Sequence, residues 1–286
     1  MDPALGIIFA FITLITLGVS TPFSRHPVRK IGPLNAIVYK CAITSFIAVF
    51  VLFLIPFEYS FNQTYLILAF LIGIIGFIPY LTFLKAVDKG KIGIIAPIAD
   101  SSFLVTIFLS VFFYGEIFTP FRWIAVMIIL AGIVSLSIDF GSLKKHGFKM
   151  LPGVGYAIVT FFLWGFYYFI GRVPVMVIGP YLLLLVAEMG VCAPAAAYLG
   201  VKRGFRKPDK KSMKFLLITG ILIAIGGLCF NMAITIADVG MVTTITKSAP
   251  IVALLTAKLL FGEKLNRWQY VSVIVVLAGV FMLSFA

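Results

Sequence analysis

Charge is what this sequence has least of: 12% of its 286 residues are Asp, Glu, Lys or Arg, and only ten of those are acids. Histidine occurs twice, as His26 and His146, and cysteine three times, as Cys41, Cys192 and Cys229. With no HExxH, no Gly-x-Ser-x-Gly and no cluster of Cys and His, the parts for metal or nucleophile chemistry are missing. A membrane-embedded enzyme is therefore not expected, and neither is a cofactor or resident metal. The three cysteines sit in apolar runs without ligand or redox spacing, so they read as small packing residues rather than disulfide partners.

What the chain has instead is apolar length: 62% of its residues are hydrophobic and the mean hydropathy is +1.15. A bilayer core asks for about 20 apolar residues per helical span. The sequence supplies ten such segments, at 4–23, 34–56, 65–87, 92–114, 121–140, 152–171, 179–200, 213–237, 241–261 and 268–286. They do not alternate polar with apolar, which sets aside a β-barrel. The first run carries no basic leader and no small-residue cleavage site after it, so it reads as a retained helix. The net charge of +13 has no basic soluble domain to carry it, so no nucleic-acid partner is expected.

The second five segments copy the first five. A shift of 147 brings Gly6, Ala10, Thr13, Gly18, Arg25 and Pro27 onto Gly153, Ala157, Thr160, Gly165, Arg172 and Pro174. The same shift places Gly115-Glu116 on Gly262-Glu263 and Leu130-Ala131-Gly132 on Leu277-Ala278-Gly279. Around the third helix a shift of 150 pairs Asp88 and Gly90 with Asp238 and Gly240, which implies compensating length changes nearby. The expected division is a first repeat at 1–140, a linker at 141–151 and a second repeat at 152–286.

Five spans per copy is odd, so the second copy enters the membrane from the opposite side: the repeats are inverted. Positively charged loops stay in the cytoplasm, which tests this. Loops one, three, five, seven and nine hold 18 Lys and Arg, whereas the even loops hold only Arg122 and Arg172. The seven basic residues between Lys202 and Lys214 mark loop seven as cytoplasmic, with contact to anionic headgroups as a lesser role. Both termini are then expected outside the cytoplasm of a multi-pass plasma-membrane protein.

Ten helices in two inverted halves, each with Gly-Glu before its last helix and Leu-Ala-Gly within it, resemble the drug/metabolite transporter superfamily, EamA-like branch. The best-matched stretch is Asp238 to Gly279, with Pro250 twelve residues before Gly262-Glu263. The first copy departs from the pattern, with Phe103 in the proline's place. The resemblance implies a metabolite exporter or exchanger working by alternating access, with Lys40 where relatives often carry a basic residue in the second helix.

Four ionisable residues lie well inside apolar segments: Lys40, Asp100, Glu188 and Lys247. Each costs about 2.5–3.5 kcal/mol to insert, so each is expected to face the bundle interior. Lys40 shares a helix face with Thr44, Ser45 and Ala48, and Lys247 with Thr243, Thr244 and Ser248. Asp100 and Lys247 differ by the repeat interval of 147, so they should meet across the central axis. Lys40 and Glu188 differ by 148, which makes their pairing a looser expectation. A structural ion-pair role is the rival reading for all four. Tyr80 and Asn231, one position apart at a shift of 150, are expected as supporting polar positions. Trp164, Tyr167 and Tyr168 could stack on an aromatic cargo, with lipid contact as the commoner explanation.

The expected activity is secondary transport of a small-molecule substrate by a monomer or weak homodimer surrounded by membrane lipids. Amino acids or similar zwitterions are the first expected cargo, organic or phosphorylated anions the second and amphipathic drugs the third. Proton coupling would need an unpaired buried carboxylate, with Glu188 the first candidate. A channel-like pathway is disfavoured because two buried lysines oppose cation passage.

Overall fold

The computed structural model describes residues 3–54, 60–90, 92–137, 152–262 and 267–285. Its regular structure is helical throughout: α1 (Pro3–Ile31), α2 (Pro33–Leu54), α3 (Gln63–Lys89), α4 (Ile92–Asp100), α5 (Phe103–Tyr114), α6 (Pro120–Ser137), α7 (Val154–Ile170), α8 (Arg172–Val201), α9 (Lys210–Ile236), α10 (Val239–Thr246), α11 (Pro250–Phe261) and α12 (Arg267–Ser284). Where water is absent, helices satisfy every backbone group locally, which is why long apolar runs take this form. Among the described residues, eight runs are long and apolar enough to cross a membrane, and two shorter apolar helices, α6 and α7, accompany them. Large side chains such as Phe46, Phe53, Phe112, Phe113, Leu259 and Phe281 point outward, while Thr13, Thr44, Thr160, Thr243 and Thr244 are buried. The polarity is that of a protein whose solvent is lipid.

The fourth and ninth segments, expected as single helices, are each broken near the middle. In the second half Pro250 starts α11; it has no N–H to donate, and the chain turns through the 3₁₀-type bonds Ser248 N–H to Ile245 O and Ala249 N–H to Thr246 O. The first half, lacking that proline, breaks after Asp100, where the Ser101 hydroxyl bonds back to the Pro97 carbonyl oxygen at 2.8 Å. The first segment is longer than expected, since α1 continues through Arg25, Arg29 and Lys30 to Ile31. It stops at Gly32, whose φ of 84° suits glycine, and Pro33 opens α2. Gly179, at φ 82°, and Pro180 make the same corner inside α8.

The register of the two halves is 147 throughout. Helices α3 and α9, α5 and α11, and α6 and α12 differ by that interval at both ends, and α5 and α11 each close on a left-handed glycine, Gly115 and Gly262. The shift of 150 proposed around the third helix is therefore wrong. Asp88 lies inside α3, whereas Asp238 is the N-cap of α10, so the two are not equivalent. Helices α3 and α9 have equal length, and no compensating insertion is needed.

The halves pack by exchange: α1 of the first lies on α9 of the second, and α7 of the second lies on α3 of the first, while α2 meets α8 and α6 meets α12. Close contacts repeat with the same interval. A Cβ at Gly18 would sit 2.4 Å from Val252 Cβ, and one at Gly165 would sit 2.4 Å from Val105 Cβ. The α6–α12 seam behaves alike, with Gly132 against Val276 and Gly279 against Ile129. Without a hydrophobic force between helices in lipid, such close backbone approach is a main source of association.

Candidate functional site

Both helix breaks carry a charge. Asp100 ends α4 two residues before α5 begins, and Lys247 is the C-cap of α10, where a cation suits the negative end of the helix dipole. Lys247 Nζ donates to Asp100 Oδ1 at 3.0 Å, with side chains only 4% and 12% exposed. The second pair forms too: Lys40 Nζ donates to Glu188 Oε2 at 2.7 Å, at 4% and 12% exposure. The offset of one residue does not prevent contact, because both side chains are long. Glu188 is thus paired, and the condition under which it was the first candidate for proton coupling is not met.

All four charges line one cavity of about 790 Å³. Aromatic rings complete its wall. Lys247 Nζ lies 3.9 Å from the Trp164 ring centre and 4.4 Å from that of Tyr168, and Lys40 Nζ lies 4.5 Å from that of Tyr80. Each ammonium is therefore held by a carboxylate and by cation–π contacts in a setting that water reaches poorly. Tyr80 lines the same cavity. Asn231 lines a neighbouring cavity of about 710 Å³ that Glu188 also lines, and its Nδ2 donates to the Pro180 carbonyl oxygen at 3.0 Å, bridging α9 to the corner of α8. At the register of 147 it stands opposite Leu84 rather than beside Tyr80.

Trp164, Tyr167 and Tyr168 were underrated as lipid-facing residues; all three line the charged cavity. The signal lay in the repeat. Their counterparts at the 147 interval are Leu17, Ser20 and Thr21, which line the same cavity from α1 at i, i+3, i+4 spacing.

The two cavities abut at Tyr167, Tyr168 and Glu188, and the neighbouring one extends to Gly171 at the α7–α8 junction. Gly227 and Ala187 line it as well. At the equivalent places toward the other face stand Tyr80 and Lys40, and Trp164 replaces Leu17. The Phe83 and Trp164 rings, 4.8 Å apart, pack beside them.

A second polar cluster, absent from the sequence reading, lies on the α7–α8 face. Glu116 accepts the backbone N–H of Val239 at 2.7 Å and of Gly240 at 2.9 Å, so it caps the half-helix α10 from the opposite repeat. Arg172 Nη1 reaches the same carboxylate at 2.8 Å. Burial pushes the Glu116 carboxyl above its ordinary range, against the two N–H donors and Arg172, which favour the charged form. Beside it Arg122 pairs with Asp238 at 2.7 Å. On the opposite face Arg29 approaches Asp88 at 3.7 Å, and Asn35 ties the start of α2 to Gly204 and Arg206.

Two related halves, packed by exchange around a buried polar chamber and faced outward with apolar side chains, define a multi-pass helical membrane protein. The sequence pattern of the EamA-like transporter family matches residues 4–138 and again 151–285, and the chain belongs to that family. It is a membrane transporter of small molecules. Among similar proteins is the uncharacterized protein y4nH of Sinorhizobium fredii (strain NBRC 101917 / NGR234), 34% identical over 85 residues, which is 29% of this chain and 73% of that one. A solved crystal structure superposes with a TM-score of 0.78 at 17% identity, covering 97% of this chain and 95% of its own, and this likeness speaks for the fold alone.

Proposed function

We propose that the chain carries small zwitterions, amino acids before others, across the plasma membrane by alternating access at the chamber between its halves. One observation carries the reading: two lysine–carboxylate pairs share one aromatic-walled cavity. A zwitterion can divide such a pair, its carboxylate going to the lysine and its ammonium to the acid, so that no buried charge is left alone. A bare cation or anion entering there would leave one protein charge unmatched, at a cost of several kcal/mol by an order-of-magnitude estimate.

The architecture we infer is ten spans in two inverted five-helix repeats, divided near residues 140 and 152, acting as a monomer or weak dimer with both termini outside. The charge asymmetry supports this orientation, and the two basic residues that depart from it are both ion-paired, Arg122 to Asp238 and Arg172 to Glu116. Under that orientation the cavity that reaches Gly171 lies toward the outside, and Tyr80, Phe83 and Trp164 line the charged cavity toward the cytoplasm. Rocking of one half against the other would exchange the two ends around fixed charges.

A ligand panel on detergent-purified protein tests the cargo class, read as thermal stabilisation. Zwitterionic amino acids should raise the melting temperature of the wild type but not of Lys247→Met. Stabilisation by dicarboxylates, sugar phosphates or lipophilic cations alone would overturn the zwitterion reading.

A further inference from the structure

Away from the chamber, the start of α9 presents Lys210, Met213, Lys214 and Leu217 at i, i+3, i+4 and i+7, which is one helix face. Two lysines stand at its rim, and Leu217 lies about 10 Å further along the helix axis. Opposite is Tyr39 of α2, and Phe205, Lys207 and Pro208 line the end of an open groove. The segment before α9 is held in place. Buried Asn35 donates from Nδ2 to the Gly204 carbonyl oxygen at 3.2 Å and accepts the Arg206 N–H at 2.9 Å. Asp209, the one acid in the segment, is occupied as the N-cap that accepts the Ser212 N–H.

We infer that this groove is a binding site for one anionic phospholipid, with the phosphate among Lys207, Lys210 and Lys214 and an acyl chain along Leu217 and Tyr39. Charge complementarity and depth choose this occupant. Three lysines line the groove where a span begins, and its wall also carries the apolar side chains of Phe205, 54% exposed, and Leu217, 44% exposed. A soluble phosphate would use the lysines and leave that wall bare. Lys211 is not part of the site, since its ammonium lies over the Phe215 ring. The inference does not depend on the cargo or on the orientation in the membrane.

Native mass spectrometry of detergent-purified protein titrated with phosphatidylglycerol or phosphatidylcholine tests it. The wild type should retain one phosphatidylglycerol in preference to phosphatidylcholine. A Lys207→Gln, Lys210→Gln, Lys214→Gln variant should lose roughly a hundredfold in that affinity, as each lysine near a headgroup contributes about a factor of five. Lys202→Gln with Arg203→Gln, which removes charge from the same loop outside the groove, should bind as the wild type does. Leu217→Glu keeps the three lysines and should also lose the lipid, which separates the site from a fault in folding. Unchanged binding by the triple variant, equal loss in the Lys202 and Arg203 control, or displacement of the lipid by glycerol phosphate at equal concentration would each overturn the inference.

Discussion

Lys247 and Asp100 hold the same place in the two repeats, 147 positions apart, and meet at 3.0 Å across the axis that relates them. Opposite charges stand at equivalent sites, each at the break of a membrane helix. The break and the charge belong together. An interrupted helix leaves backbone groups without regular partners, and the chamber is the part of the fold where they and the charges are away from lipid.

Removing one partner leaves the other charge buried and alone. Asp100→Asn or Lys247→Met should each destabilise the protein by about 3–5 kcal/mol, whereas the double variant should recover most of that loss. Thermal denaturation of all four proteins in one detergent gives the comparison. A double variant as unstable as the sum of the singles would contradict a direct pair.

The Glu116 clamp makes a separate claim. Glu116→Gln keeps the side-chain volume but substitutes an NH₂ for one of the oxygens that accept from Val239 and Gly240. The expected loss is about 1–3 kcal/mol, the range for a buried donor left unpaired. Arg172→Gln should cost less, because Arg172 is 27% exposed and the helix cap survives it.

Close approach at the repeat interface predicts equal sensitivity at equivalent glycines. Gly18→Ala and Gly165→Ala each force a Cβ to within 2.4 Å of a valine Cβ on a broken helix and should cost about 1–3 kcal/mol. Gly200→Ala, where a Cβ would meet nothing within 4 Å, should be close to neutral in a thermal melt.

Much of this was legible in residue order because the repeat interval carries geometry. Once Thr13 is set on Thr160, the placing of Asp100 against Lys247 follows from subtraction, and buried charges in lipid must find partners. The aromatic wall needed the same step applied to Leu17, Ser20 and Thr21, whose counterparts Trp164, Tyr167 and Tyr168 read individually as lipid-facing. The false register at Asp88 and Asp238 arose from two short Asp-x-Gly matches, which composition favours near any helix end. The break after Asp100 had no proline at position 103 to announce it. Glu116 was visible only as half of a Gly-Glu motif; that it caps a helix of the other repeat is a long-range fact that local spacing does not encode.

Acid should act at α9. The hydrogen bond from Ser212 holds the Asp209 carboxyl below its ordinary range, so the folded-state value is depressed. Its contribution is then present above the ordinary aspartate value of about 3.9 and is lost as pH falls through the folded one. Asp209→Asn caps equally well without titrating. Wild type and variant should match at neutral pH, and below about pH 4 the wild type should lose more stability than the variant.

Orientation is read by labelling introduced cysteines, with Cys41, Cys192 and Cys229 replaced by alanine. Thr119→Cys should react with an impermeant maleimide on intact cells, and Lys202→Cys only after the membrane is opened. The reverse pattern would invert the topology.

Counterflow in proteoliposomes tests the central claim most directly: vesicles preloaded with unlabelled amino acids are given a labelled trace pool outside. A zwitterion carrier predicts transient accumulation above equilibrium in the wild type and none in Lys247→Met or empty vesicles. Full accumulation in Lys247→Met, or none in the wild type, would contradict it.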